Sequence, residues 1–338
     1  MAEFRVLLVG AGQMGRGWGE NLRDCPDTEI VAWVDVLPGA AARAADELGL
    51  RGILTGADLD QACTAVRPDF VVDVSPPEAH RDVTLTALAR GLPVLGEKPM
   101  AATMAQAREM VAAAERAGKL FMVSQNRRFD RNLQALRQLI VEHTGQVGIL
   151  NADFYMGEHY RGFRLEMPSP LLVDMAIHTF DAARFLTGAS ALAVYCLEFN
   201  TPWSWYKGNA SATAIFEMSN GAVFTYRGSR SSDGCHTSWD SRWRAVGPHG
   251  TAVWDGEGVP AAEMVAEHTE PIARFRHIEG TPDRTAATGI ARTLQEFLRA
   301  LRTGETPSCE CHDNIHSLAM VYAAIESAAT GQRVTISV

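Results

Sequence analysis

The chain has 338 residues, 46% of them apolar and 21% charged, with a formal net charge of −9. That length exceeds one ordinary hydrophobic core and suits two domains, while the excess of acid argues against nucleic acid or an anionic membrane as partner. No apolar stretch reaches the about 18 residues of a membrane span, and a first strand starting near Phe4 leaves no room for a secretion signal, so a cytoplasmic location is expected.

The first apolar run, residues 4–9, leads into Gly10-Ala11-Gly12-Gln13-Met14-Gly15 and a helical stretch that reaches about Cys25. Gly10 permits a tight turn, Gly12 leaves room for pyrophosphate, and Gly15 lets helix and strand approach. The helix start at Gln13 and Met14 then faces phosphates, as in a dinucleotide-binding fingerprint. A second apolar run, 30–34, ends in Asp35, twenty residues after Gly15. A carboxylate there accepts hydrogen bonds from both ribose hydroxyls of NAD and repels a 2′-phosphate. Val36 and Leu37 follow with no arginine, which favours NAD over NADP.

Further strand-like runs at 70–74, 94–95 and 120–123 alternate with helical stretches at 40–48, 79–90 and 104–117, the last two stopped by Gly91 and Gly118. Strands too apolar to be solvated on one face imply a doubly wound parallel sheet of the Rossmann type, assigned here to residues 1–124. Glu97-Lys98-Pro99 follows the run 92–95. A lysine delivered to the carboxyl end of a parallel strand, beside a nicotinamide, is placed to handle a proton and a developing alkoxide. Beyond Val123 the pattern changes. Runs 211–218 and 222–227 flank Asn220-Gly221, a strong hairpin signal, and runs 239–246 and 251–254 are joined through 247–250. Residues 125–338 are therefore expected to form an α+β domain on a large, mostly antiparallel open sheet. Two amphipathic helices close the chain, one with Ile290, Leu294, Phe297, Leu298 and Leu301 on a single face, the other over about 313–329.

Within this second domain, residues 171–187 read as one helix. At about 100° per residue, Asp174, His178 and Asp181 fall within about 60° of each other, while the flanking Leu171, Ile177 and Phe185 are apolar. A solvated face would carry lysine and glutamate there, so the stripe is expected to face an enclosed cavity. Acids and an imidazole in such a cleft suit general acid–base work, although for Asp181 alone a structural ion pair is the better reading. The six cysteines are scattered and read as reduced thiols. The spacing in Cys309-Glu310-Cys311-His312 is poor for a tetrahedral site, and no metal is expected.

Together these residues resemble the Gfo/Idh/MocA family of nicotinamide-dependent oxidoreductases. The likeness runs through Gly10 to Gly15, Asp35, Val74-Ser75-Pro76-Pro77-Glu78-Ala79-His80, Glu97-Lys98-Pro99, Asn126-Arg127-Arg128-Phe129, and Asp174, His178 and Asp181. The resemblance implies that Ser75, Pro76, Pro77 and His80 form a loop along the cofactor, with Glu97, Lys98 and Asn126 also at its site. It implies that Lys98 bonds the reacting hydroxyl, that Asp174 and His178 complete the catalytic set, and that Arg127 reaches substrate or nicotinamide. The implied reaction is oxidation of a secondary alcohol by hydride transfer to NAD, and either His178 or Lys98 takes the hydroxyl proton. Many relatives carry a glycine-rich approach to this helix and a glycine within it; here the approach is Met167-Pro168-Ser169-Pro170 and position 176 is Ala.

The expected substrate is a sugar or polyol. Tyr155, His159, Tyr160, Arg161 and Arg164, with Trp203, Trp205 and Tyr206, supply rings and forked donors suited to a pyranose. Two rival readings remain: a glycoside hydrolase that keeps NAD bound for a transient oxidation and elimination, and a non-catalytic dinucleotide-binding regulator. An open sheet also needs covering, which favours a homodimer or homotetramer.

Overall fold

The computed structural model describes residues 2–159 and 161–338. Those residues form two compact units, one of residues through Asn126 together with Gly289–Ile315, the other of Arg127–Thr288 and His316–Val338.

The first unit alternates strand and helix: β1 (Phe4–Val9), α1 (Gln13–Asp24), β2 (Thr28–Val34), α2 (Ala40–Glu47), β3 (Leu54–Gly56), α3 (Leu59–Val66), β4 (Phe70–Asp73), α4 (Pro77–Ala89), β5 (Val94–Glu97), α5 (Met104–Ala117) and β6 (Phe121–Ser124). The strands pair in parallel in the order β3-β2-β1-β4-β5-β6. This is the doubly wound sheet expected from the apolar runs. Every residue of β4, β5 and β6 is buried, as it must be when helices cover both faces. β3 and α3 carried too few apolar positions to stand out in the sequence; β3 is three residues long and its middle residue is only half-buried.

The second unit holds α6 (Arg131–Leu139), β7 (Ile149–Tyr155), a π-helical segment at Leu171–Ala176, α7 (Ile177–Thr187), β8 (Ala191–Phe199), β9 (Ser211–Met218), β10 (Val223–Ser229), β11 (Arg242–Gly247), β12 (Gly250–Trp254), β13 (Ala261–Glu267) and β14 (Arg274–Glu279). After α8 (Gly289–Thr303), which lies in the first unit, come α9 (Cys311–Thr330) and β15 (Val334–Thr335). The nine-stranded sheet runs β14-β13-β12-β11-β7-β10-β9-β8-β15, and only β7 and β10 pair in parallel. Both expected hairpins form: β9 with β10 around Gly221, at φ +84°, and β11 with β12. One face of this sheet carries the core, in which Phe180 of α7 meets Phe216, Phe224 and Tyr226 edge-on at ring separations of 4.8, 6.2 and 5.2 Å. The opposite face stays apolar and exposed at Tyr195, Leu197, Ile215 and Val223.

In α8 the predicted stripe is the buried one. Leu294, Phe297 and Leu298 are buried, and Phe297 packs edge-on against Phe70 of β4 at 5.1 Å. Among the described residues no helix is long and apolar enough to cross a membrane.

Candidate active site

In the first unit, the groups that carry chemistry emerge from the carboxyl ends of parallel strands. Gly10 closes β1 at φ +95°, where its N–H donates to the Val34 carbonyl at 2.8 Å and a Cβ would stand 2.6 Å from the Val74 carbonyl oxygen. Gly15 is tighter still: a Cβ there would lie 2.1 Å from the Gly10 carbonyl oxygen, so the start of α1 approaches β1 only because no side chain intervenes. Gly12, Gln13 and Met14 are exposed, and no side chain caps the helix at Gly12. The first-turn N–H groups, with the positive end of the helix dipole, are thus offered outward, a donor set suited to phosphate.

Asp35 follows β2. Its two carboxylate oxygens accept from the backbone N–H groups of Ala11 (2.7 Å) and Leu37 (2.8 Å). A carboxylate held by two backbone donors is fixed in place and keeps lone pairs for further donors. The glycine turn and Asp35 therefore fit a dinucleotide and its adenosine ribose.

At the end of β4, Asp73 is fully buried. It accepts from Ser75 N–H at 3.0 Å and Ser75 hydroxyl at 2.6 Å, and its other oxygen lies 2.9 Å from His80 Nδ1. Burial opposes a charge on His80, but the Asp73 carboxylate outweighs it and holds the imidazole above its ordinary range. Ser75 and His80, both predicted site residues, are tied by Asp73, which the sequence reading passed over. An acid inside the apolar run 70–74 was the available signal, since a buried carboxylate needs partners. Pro76 caps the start of α4 and is exposed; Pro77 is its first residue.

Glu97 ends β5 and is buried. Trp18 Nε1 of α1 donates to it at 2.7 Å, and the Lys98 backbone N–H at 3.1 Å. Burial pushes its carboxyl up, against these two donors. Trp18 had no sequence signal of this role beyond its place on the inner face of α1. Lys98 is half-buried and the Lys98–Pro99 peptide is cis. Asn126, half-buried, follows β6 in a short 3₁₀ turn.

The second unit corrects the single regular helix expected for residues 171–187. The segment is not one regular helix: its first six residues are π-helical and α7 begins at Ile177. The wider turn changes the regular 100° spacing but keeps Asp174 and His178, four residues apart, near one face. Asp174 Oδ2 accepts from Arg164 Nε at 2.8 Å and from Arg230 Nη1 at 2.7 Å. Arg230 is itself almost fully buried and also bonds Glu158. Asp181 accepts a bidentate pair from Arg128, at 2.9 and 2.5 Å, and a bond from the Ser317 hydroxyl at 2.8 Å. His178, 6% exposed, borders an enclosure of about 10 Å³ shared with Arg127, Thr179 and Asp240. Buried arginines such as Arg230 leave no local sequence pattern, because the charges that satisfy them are distant in the chain.

Arg127 lies with its Nε 3.7 Å from Asp240 and donates to the Trp239 carbonyl. Tyr155 is half-buried at the end of β7, where its backbone N–H bonds Thr237 at 2.9 Å. His159 is exposed; it stacks on Trp205 at 3.7 Å and sits 3.2 Å from Asp233. Arg161 is exposed, and Arg164 also covers the ring of Phe163 at 4.8 Å. Tyr160 lies outside the described residues.

Two family models match this chain, an oxidoreductase family NAD-binding Rossmann fold over residues 4–125 and that family's C-terminal alpha/beta domain over residues 164–336. The chain belongs to the Gfo/Idh/MocA family of NAD(P)-dependent oxidoreductases. It is 37% identical to an inositol 2-dehydrogenase of Arthrobacter sp. over 194 residues, 56% of each chain. It is 27% identical to a D-apiose dehydrogenase of Paraburkholderia graminis, over 98% of this chain and 90% of the relative. In fold it matches an oxidoreductase of Agrobacterium radiobacter, solved in complex with NAD+, L-tartaric acid and magnesium, with TM-score 0.88 and 23% identity over 99% and 98% of the two chains.

Proposed function

We propose that this member of the family oxidises a secondary alcohol of a sugar or polyol, with NAD as hydride acceptor. The observation that carries the reading lies in one sheet: the glycine turn after β1, Asp35 after β2, Ser75 after β4 and Lys98 after β5 all leave the carboxyl ends of parallel strands, and so crowd one edge. A bound nicotinamide supplies the hydride-accepting carbon. The protein's own work is to bind, orient and move a proton. Lys98 holds the reacting oxygen and stabilises its developing negative charge. His178 takes the hydroxyl proton, since imidazole is the side chain suited to that exchange near neutral pH. Asp174, fixed by Arg164 and Arg230, offers a rigid anionic edge to a substrate hydroxyl. The inositol and D-apiose dehydrogenases among its relatives support a polyhydroxylated substrate.

Asp35 supports NAD over NADP, because an anchored carboxylate repels a 2′-phosphate. A panel of inositols, free aldoses and glycosides with each cofactor, followed for reduced nicotinamide and for sugar release, tests the whole reading. Net reduction of NAD by an inositol or aldose is expected, with kcat/KM for NAD at least about tenfold above that for NADP, a difference of about 1.4 kcal/mol. Sugar release without net reduction would instead support the hydrolytic cycle, and a strong NADP preference would remove the role given to Asp35.

We also propose a homodimer or homotetramer. Tyr195 pairs across strands with Ile215, and Val223 with Ile149, so the exposed apolar side chains of β7 to β10 lie in adjacent rows on one sheet face. A contiguous apolar face of this kind is costly to leave in water. Light scattering coupled to gel filtration should give two or four times the 36.7 kDa chain mass; a monomer at micromolar concentration would defeat the idea.

A further inference from the structure

Trp18 lies on α1 three residues after Gly15, so both sit on the face of that helix turned to the sheet, and the indole is fully buried. A buried indole N–H needs an acceptor. It finds one 79 residues further along the chain, at Glu97 Oε1, 2.7 Å away. The second oxygen of the same carboxylate accepts from the Lys98 backbone N–H at 3.1 Å. Glu97 thus gives one oxygen to the helix that begins at the glycine turn and the other to the main chain that carries Lys98.

Both ends of this link are fixed. α1 is held close against the end of β1 at Gly15, and Trp33 Nε1 donates to the Gly10 carbonyl at 3.0 Å. At the other end β5 is paired on both sides, with β4 through Gly96 and with β6 through Glu97, and Lys98 is the first residue past the strand. Burial pushes the Glu97 carboxyl up. Against it the bond from Trp18 is the strongest influence, followed by the charge of Lys98, the Lys98 backbone N–H and the charge of His80 on α4. Trp18 therefore does most to favour the form of Glu97 that accepts at both oxygens; a protonated carboxyl would turn a donor toward one of its two N–H partners. We propose that Trp18 is a positioning residue for Lys98, which acts through Glu97 to set the main chain at the end of β5, and with it the base of the lysine side chain, relative to the helix whose first turn faces the cofactor. No contact between the indole and cofactor or substrate is needed.

The effect on turnover rests on Lys98 acting at the reacting hydroxyl as proposed above; the positional claim does not. The chain has three lysines, Lys98, Lys119 and Lys207, so ¹⁵N-lysine labelling of the full chain gives three backbone amide signals, of which Lys98→Met loses that of Lys98. In Trp18→Phe, which keeps a ring without the N–H donor, the Lys98 amide should move while the other two stay. In a Glu97→Leu background, where no carboxylate joins the two sites, the same substitution should leave the amide unmoved. With an alcohol accepted in the panel, Trp18→Phe should lower kcat roughly tenfold, as a sub-ångström misplacement does, and change KM less than about threefold. In the Glu97→Leu background it should lower kcat by no more than about twofold. A Lys98 amide identical to native in folded Trp18→Phe would overturn the proposal, whatever the activity. An effect on kcat of equal size with and without the carboxylate would also overturn it, as the mark of lost packing alone. Should Trp18→Phe not fold, the native protein labelled at its seven tryptophans as well as its lysines decides. One indole signal should titrate with the midpoint of the Lys98 amide, since the two donors share a carboxylate, and the lack of any such signal would overturn the link. If Lys98→Met keeps its kcat while Trp18→Phe moves the amide, the chemical role of the lysine fails and the positioning role stands.

Discussion

Replacing Lys98 with methionine should lower kcat by about 10³-fold while the Kd for NAD stays within roughly threefold of native. The side chain leaves the carboxyl end of β5, one residue after Glu97, whose carboxylate is bonded by Trp18 and by the Lys98 backbone N–H. Those bonds involve the main chain and Glu97, so methionine, of similar length, leaves them in place. The loss then falls on the ammonium alone. An ammonium that meets the oxygen chiefly as charge develops there contributes to the transition state more than to binding, which puts the effect in kcat. Single-turnover hydride transfer with a good substrate, alongside fluorescence titration of the cofactor, separates the two. A variant with native kcat would remove Lys98 from the chemistry. One with native kcat but a cofactor Kd raised a hundredfold would make it a cofactor ligand only.

Asp181→Ala should cost about 3–5 kcal/mol of stability, the usual result of stripping one partner from a buried ion pair. Arg128 and Asp181 side chains are 6% and 2% exposed and meet in a bidentate pair. Without the carboxylate, Arg128 loses its bidentate partner in the core, where its guanidinium also lies 5.6 Å from the Phe185 ring, and Ser317 loses an acceptor. Asp181→Leu combined with Arg128→Met should recover much of the loss, because two apolar side chains leave no orphaned charge. Urea unfolding of the native protein and the two variants measures this. The prediction also separates Asp181 from its neighbour His178 on α7. A stable Asp181→Asn that lost hydride transfer selectively would contradict the structural role.

How much of this was legible in the sequence depends on how local each cause is. The glycine turn, Asp35 and the alternation of apolar runs with helices are read from local spacing and periodicity along the chain, and they fix the parallel sheet in advance. Asn220-Gly221 did the same for the β9–β10 hairpin. In α8 the period of apolar residues identified the buried face, but only tertiary packing joined that helix to Phe70 of the first unit.

The stripe of Asp174, His178 and Asp181 marks the boundary. Sequence alone placed three ionisable side chains on an otherwise apolar helix, and so determined that they would be buried and need partners. It could not determine which partners. Arg128 and Arg230 lie 53 and 56 residues from the acids they pair with, and a π-helical start to the segment changes the spacing on which the single stripe was built. Local propensity and periodicity act over a few residues, whereas buried charge is satisfied by whichever opposite charge the chain's path brings near. That path exists only in the folded protein.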